Sequence, residues 1–308
     1  MPRNLPATRA LLGSLIGLTL LCTSLPASGA APHHRHRVSG IRSVPALRSS
    51  SALVVDENTA TVLLAKNADA VIPIASITKL MTALVVLDAK QPTEELIELT
   101  TADRQVGRGG HSRLQTGARL SRGDLMHLAL MSSENRAAHA LGRSHPAGLA
   151  AFVAAMNAKA RELGMRDTRY VEPTGLSSEN RSSAEDLARL VRAAAEHPII
   201  REYSTSTEAV VANGRRQQQF HNTNGLVRNP DWEIAVQKTG YIAAAGRCVV
   251  MQAQMAGRQL IMVLLDSAGR YSRIGDAERL RRWLSEGFGA ARAAAAPASP
   301  AGDASASA

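Results

Sequence analysis

The apolar residues of this chain change their spacing twice, and that order constrains the fold more than any other feature. Residues 52–55 and 61–65 are short, β-branched apolar runs around Asp56, Glu57 and Asn58, which predicts a hairpin. Helical spacing follows over 76–88, 125–131, 137–141, 152–163 and 184–195, with Gly164 as a stop. Ser121 stands three residues before Asp124 and Ser183 three before Asp186, so each opens its helix as an N-cap. Beyond Pro198 strand-like runs return at 208–212, 232–236, 248–255 and 260–265, and a helix over about 275–287 ends the pattern. Strands at both ends with helices between them predict an α+β fold. It is an antiparallel sheet, its edge completed by the N-terminal hairpin, flanked by helices and carrying an inserted helical lobe. The pattern shows neither an internal repeat nor a second core.

Both ends of the chain fall outside that pattern. Arg3 and Arg9 precede an apolar run at 11–21 and then Ser28, Gly29 and Ala30, which reads as a secretory signal peptide over 1–30, cleaved near Ala30. The run is too short to span a bilayer, and no other stretch approaches the roughly 20 apolar residues that a spanning helix needs. The mature protein is therefore expected to be exported without an integral membrane segment. Lipidation at Cys22 is the weaker reading, because Leu21 holds the place of the usual small residue. Residues 31–46 read as a disordered linker, in which His33, His34 and His36 form a solvated tail rather than a metal site. Residues 289–308, almost wholly Ala, Ser, Pro and Gly, read as a disordered tail. One folded domain over 47–288 remains.

Composition narrows the classes open to that domain. With 308 residues, 45% of them hydrophobic, the chain can bury about three quarters of its unfolded surface without staples or structural metal. Once Cys22 leaves with the signal, Cys248 has no intramolecular partner, and its apolar run at 248–251 marks it as a buried, inert thiol. The 36 basic against 26 acidic side chains give a formal charge of +10, but the arginines are dispersed and only 3% of residues are aromatic. That excludes nucleic acid as a partner. The charge suits anionic envelope polymers or lipid head groups, or else has no partner at all.

Three short motifs carry chemistry. Ser76 and Lys79 lie one turn apart at the start of an apolar helix, so the amine can reach the hydroxyl. A serine hydroxyl is a poor nucleophile until a base takes its proton, and a neutral lysine amine is one of the few groups able to do so. The helix start adds N–H groups suited to a developing oxyanion. Ser133 and Asn135 lie two residues apart on a loop between helical runs, where the hydroxyl can relay a proton and the amide can bind a substrate amide. Ser178, Glu179 and Asn180 repeat that pattern, but they follow Pro173, Thr174 and Gly175 in what reads as a surface loop. Lys238, Thr239 and Gly240 end a strand: the lysine can hold a carboxylate, the threonine can hydrogen-bond it, and the glycine admits a substrate backbone. A cation at Lys238 would also disfavour protonation of Lys79.

Taken together, S-x-x-K, S-x-N and K-T-G resemble the signature of the penicillin-recognising serine enzymes. The segments 73–83, 131–138, 172–176 and 238–241 are most similar to the D-alanyl-D-alanine carboxypeptidase and endopeptidase family of low-molecular-mass penicillin-binding proteins. Residues 222–228 and 245–248 look most like its murein DD-endopeptidase branch, and the resemblance covers about 47–288. It implies a β-lactamase/transpeptidase-like fold, no cofactor and no metal. It also implies a periplasmic site of action on cross-linked stem peptides of peptidoglycan, β-lactams as covalent inhibitors, and other wall hydrolases as partners. By position it implies Ser76 as acyl-enzyme nucleophile, Lys79 as proton acceptor and Ser133 as relay to the leaving amine. Asn135 would bind the substrate amide, Lys238 and Thr239 its carboxyl end, and the N–H groups of Ser76 and Tyr241 the oxyanion. Rival readings are a DD-carboxypeptidase, a class A β-lactamase using Glu172, and a non-catalytic penicillin sensor or wall-binding module. Glu172 lacks the nearby asparagine that a β-lactamase loop glutamate keeps, which disfavours the second.

Overall fold

The computed structural model describes residues 44–104 and 112–295, and side chains as far as Gly287. The expected signal peptide, Cys22, the histidine-rich stretch, the linker as far as residue 43 and the tail beyond residue 295 lie outside the described residues.

In chain order the elements are β1 (Ser49–Asp56), β2 (Val62–Lys66), β3 (Ile72–Pro73), α1 (Thr78–Asp88), β4 (Leu96–Glu98), α2 (Thr101–Arg104) and β5 (Arg119–Ser121). The helical lobe continues with α3 (Arg122–Met131), α4 (Asn135–Arg143) and α5 (Gly148–Glu162), then β6 (Arg181–Ser182), α6 (Ala184–Ala195) and α7 (Pro198–Thr205). The chain ends through β7 (Glu208–Asn213), β8 (Arg216–His221), β9 (Glu233–Ile242), β10 (Gly246–Met255), β11 (Arg258–Ser267) and α8 (Ser272–Ala295). The main sheet has five antiparallel strands in the order β2-β1-β11-β10-β9. The predicted hairpin therefore completes one edge, and the strand bearing Lys238 and Thr239 forms the other. Asp56 closes the hairpin locally, its Oδ1 accepting from the N–H groups of Asn58 at 2.9 Å and Thr59 at 3.3 Å.

The sheet is apolar on both faces, which corrects the expectation of a single core. Side chains alternate along a strand. Leu53 and Val55 of β1, with Ile261, Val263 and Leu265 of β11, face the helical lobe, where α1, α3, α4 and α6 pack. Ala52, Val54, Met262 and Leu264 face the other way onto Ala277, Leu280 and Leu284 of α8. A continuous run such as 260–265 is what a strand buried on both faces requires. The two N-caps are formed as expected: Ser121 Oγ accepts from Asp124 N at 2.9 Å and Ser183 Oγ from Asp186 N at 3.2 Å.

Two boundaries differ from the sequence reading. Residues 198–205 form α7 rather than part of a strand region, because Pro198 occupies the first helical turn, where its missing N–H costs nothing. The last helix runs to Ala295, beyond the expected stop near 287, consistent with alanine having the highest helix propensity.

Candidate active site

The reactive pair sits where a 3-10 turn, Ala75–Ile77, feeds α1. Nine of the eleven residues of α1 are buried, so Lys79 enters an apolar environment and is itself fully buried. Its Nζ donates to Ser76 Oγ at 2.9 Å, to Asn135 Oδ1 at 2.8 Å and to the Thr174 carbonyl at 2.6 Å. Burial disfavours the charged amine and lowers it from 10.5 to about 8, against the opposing pull of Glu172 and Glu134. The turn is strained at the residue before the serine: Ala75 has φ +49°, a left-handed conformation that an L side chain adopts only when its surroundings impose it. Those surroundings include Gly175 at φ +82°, where a Cβ would fall 1.9 Å from the Ala75 oxygen.

The second motif is delivered by α4. Glu134 caps that helix, its carboxylate accepting from Arg136 N at 3.4 Å, and Asn135 is the first helical residue. Burial pushes the Glu134 carboxyl above the ordinary range. Ser133 is part-exposed with φ +62°, a second left-handed non-glycine residue in the site segments. Its hydroxyl makes no hydrogen bond to a described residue, whereas Asn135 is joined directly to Lys79.

The third motif lies within β9 rather than beyond its end. Lys238 is fully buried, with Nζ donating to the Thr239 carbonyl at 2.8 Å, and Thr239 Oγ1 is 2.7 Å from Thr223 Oγ1. Gly240 also has a use within the protein itself. A Cβ there would stand 3.0 Å from Ser76 N, 3.0 Å from Ala75 Cβ and 3.1 Å from the Ile74 oxygen. Glycine thus lets the edge strand close against the protein's own serine turn. Tyr241 is 55% exposed, and Arg247 stacks on its ring at 4.4 Å.

Lys79 and Lys238 lie close enough for their charges to interact. Burial lowers Lys238 well below its ordinary value, and the nearby charges of Lys79 and Arg273 lower it further. Burial is the leading cause at both amines, and the charges of the two lysines oppose one another across the site.

Several residues that sequence reasoning passed over belong to the site. Arg273 at the start of α8 donates from Nη1 to the Gly240 carbonyl at 2.9 Å, and no local motif marks it. Asn180, read as part of a surface loop, is fully buried although Ser178 and Glu179 are exposed. Its Nδ2 donates to Glu172 Oε1 at 2.9 Å, so the glutamate does have an asparagine companion in space. The family-like wording of 172–176 was the available signal.

Comparison with solved structures places this fold among the DD-transpeptidases and DD-carboxypeptidases. A Streptomyces DD-transpeptidase superimposes with a TM-score of 0.73 at 24% identity, over 80% of this chain and 98% of its own. A D-alanyl-D-alanine carboxypeptidase from Mycobacterium tuberculosis gives 0.73 at 26%, over 80% and 94%. A family model described as D-alanyl-D-alanine carboxypeptidase matches residues 39–269, and the chain belongs to that family. Among curated relatives, the D-alanyl-D-alanine endopeptidase of Pseudomonas aeruginosa is 46% identical over 286 residues, 92% of each chain. That of Escherichia coli is 45% identical over 247 residues, 80% of each. No helix among the described residues is long and apolar enough to cross a membrane.

Proposed function

We propose that this chain is a serine DD-endopeptidase that hydrolyses D-alanyl cross-links of peptidoglycan in the periplasm through an acyl-enzyme on Ser76. The observation that carries the reading is the 2.9 Å contact between Ser76 Oγ and an amine that burial brings to about 8. A lysine held there is neutral often enough to take the serine proton at neutral pH. Ser76 Oγ attacks the D-alanyl carbonyl carbon, and the oxyanion is held by the N–H groups of Ser76 and Tyr241. Collapse breaks the C–N bond, and the proton held by Lys79 passes through Ser133 to the departing amine. Water then adds to the ester, releasing the acid and restoring Ser76. Asn135 Nδ2 binds the substrate amide, and Lys238 and Thr239 anchor the carboxylate next to the scissile bond. β-Lactams enter the same first step and remain as covalent inhibitors.

Identities of 46% and 45% to relatives named endopeptidases, against 31% to a relative named a carboxypeptidase, favour the cross-link over the pentapeptide as substrate. Digestion of purified cross-linked muropeptide dimers and of pentapeptide monomers, read by mass spectrometry beside Ser76→Ala, tests this. Dimers should fall to monomers while pentapeptide stays intact. Loss of only the terminal alanine makes the protein a carboxypeptidase, and equal activity of Ser76→Ala removes the catalytic assignment.

A further inference from the structure

The shortest contact of Lys79 Nζ is to a main-chain carbonyl, Thr174 O at 2.6 Å, and nothing in α1 places that group. Glu172 places it. Its Oε2 accepts from both the N–H and the hydroxyl of Thr174, each at 2.6 Å. Its Oε1 accepts from Gly175 N at 2.6 Å, Ser177 N at 3.3 Å and Asn180 Nδ2 at 2.9 Å. A carboxylate offers about four acceptor sites, so this one is spent on folding its own loop. Asn180 extends the hold to the serine turn. Its Nδ2 also reaches Thr78 Oγ1 at 3.2 Å and the Glu172 carbonyl at 2.8 Å, its Oδ1 accepts from Val171 N at 2.7 Å, and its own carbonyl accepts from Ile74 N at 3.1 Å. Ile74 and Thr78 bracket Ser76. Thr82 Oγ1 donates to the Pro173 carbonyl at 2.7 Å and ties the same loop to the next turn of α1.

We propose that Glu172 and Asn180 are positioning residues for acylation: the glutamate folds the turn that seats Lys79 Nζ against Ser76 Oγ, and the asparagine locks that turn to the residues on either side of the serine. The inference rests on Ser76 as nucleophile and Lys79 as its base. It assigns Glu172 no proton to carry, unlike the loop glutamate of a deacylating β-lactamase. Charge adds a consequence that simple loosening would not produce. The charged groups around Lys79 are Glu172 and Glu134, which favour its ammonium form, and Lys238 backed by Arg273. Removing the Glu172 charge makes Lys79 a weaker base, while shortening the side chain leaves the charge in place.

Glu172→Gln and Glu172→Asp in the full chain, with acylation by a fluorescent penicillin followed against pH and the label then chased, separate these effects. Gln turns an amide NH2 toward backbone donors. Acylation should fall about 100-fold, the loss expected for a misplaced reacting group, with its rising limb moved to lower pH and no build-up of label. Asp should lose about tenfold with the limb where the unaltered protein has it. If Gln does not fold, the Asp variant decides alone, since an unchanged rate there removes the positioning role. An unaltered Gln rate, a loss without displacement of the limb, or normal acylation with trapped label also overturns the proposal. Ser76→Ala that still takes up label overturns the underlying reading instead. An unlabelled Ser76→Ala beside a fully active Glu172→Gln overturns only the positioning role.

Discussion

Raising the pH should switch acylation on through one group, Lys79. Its amine is held at about 8 rather than 10.5, a difference worth about 3 kcal/mol against the ammonium form. About one tenth of the amine is then neutral at pH 7, and nearly all of it above about pH 9. The second-order rate of penicillin acylation should climb about tenfold per pH unit below the midpoint and level off above it. The sign follows from desolvation: burial penalises the charged form, so the active form gains with rising pH. Lys79→Arg keeps a cation that cannot give up its proton and should take no label at any pH. Fluorescent-penicillin labelling, quenched at short times in buffers of constant ionic strength, measures the profile. A rate independent of pH between about 6 and about 9, or one that rises only above about 10, would refute the assignment of Lys79 as base. A matching stability effect is expected. Between about 8 and 10.5 the unfolded chain binds the lysine proton and the folded one does not, so stability should rise with pH across that window.

Three further outcomes follow from the packing. Gly175→Ala places a methyl 1.9 Å from the Ala75 oxygen at φ +82° and should cost about 3 kcal/mol or more, seen as a lowered Tm or loss of soluble protein. Asp103 is fully buried, bound by Arg143 Nη2 at 2.9 Å and His139 Nδ1 at 2.7 Å, and Asp103→Asn should cost about 3 kcal/mol in a denaturant titration. The His139, Arg143 and Thr100 hydrogen bonds outweigh burial and hold the Asp103 carboxyl below its ordinary value, so this stability is present above about pH 4 and lost as pH falls further. Burial raises the Cys248 thiol to about 11, so a soluble disulfide reagent at about pH 8 should modify it only after unfolding, and rapid reaction of the native protein would contradict the burial.

How much was legible in the sequence depended on whether a residue acts locally. The caps at Ser121 and Ser183 bond within their own helices, and the periodicity of α3 and α6 is written along one segment, so both were readable. The serine, lysine and asparagine of the site fall in short motifs that secondary structure alone brings to the right kind of place. β8 was missed because its sequence is polar and Phe220 is the only residue of the strand that is buried; the strand exists through pairing with β7. Glu172, Asn180 and Arg273 act across the chain, on groups held by other elements, and a residue whose role is to hold a distant backbone leaves no periodic trace. Asn180 misled for the same reason: its two exposed neighbours made the segment look like surface, while the third side chain turns inward.

The pairing of β1 with β11 sets an order on how the molecule can be made. β1 registers Ser49 against Ser267 and Asp56 against Leu260, so a strand from the start of the described chain shares its ladder with the last strand. Until the residues of β11 exist and are free to pair, β1 has only β2 beside it, and an isolated two-stranded hairpin is marginal in water. The middle of the sheet therefore cannot close on a growing chain from its leading end. Pairing of β1 into the sheet is thus a non-local contact that follows the formation of β11.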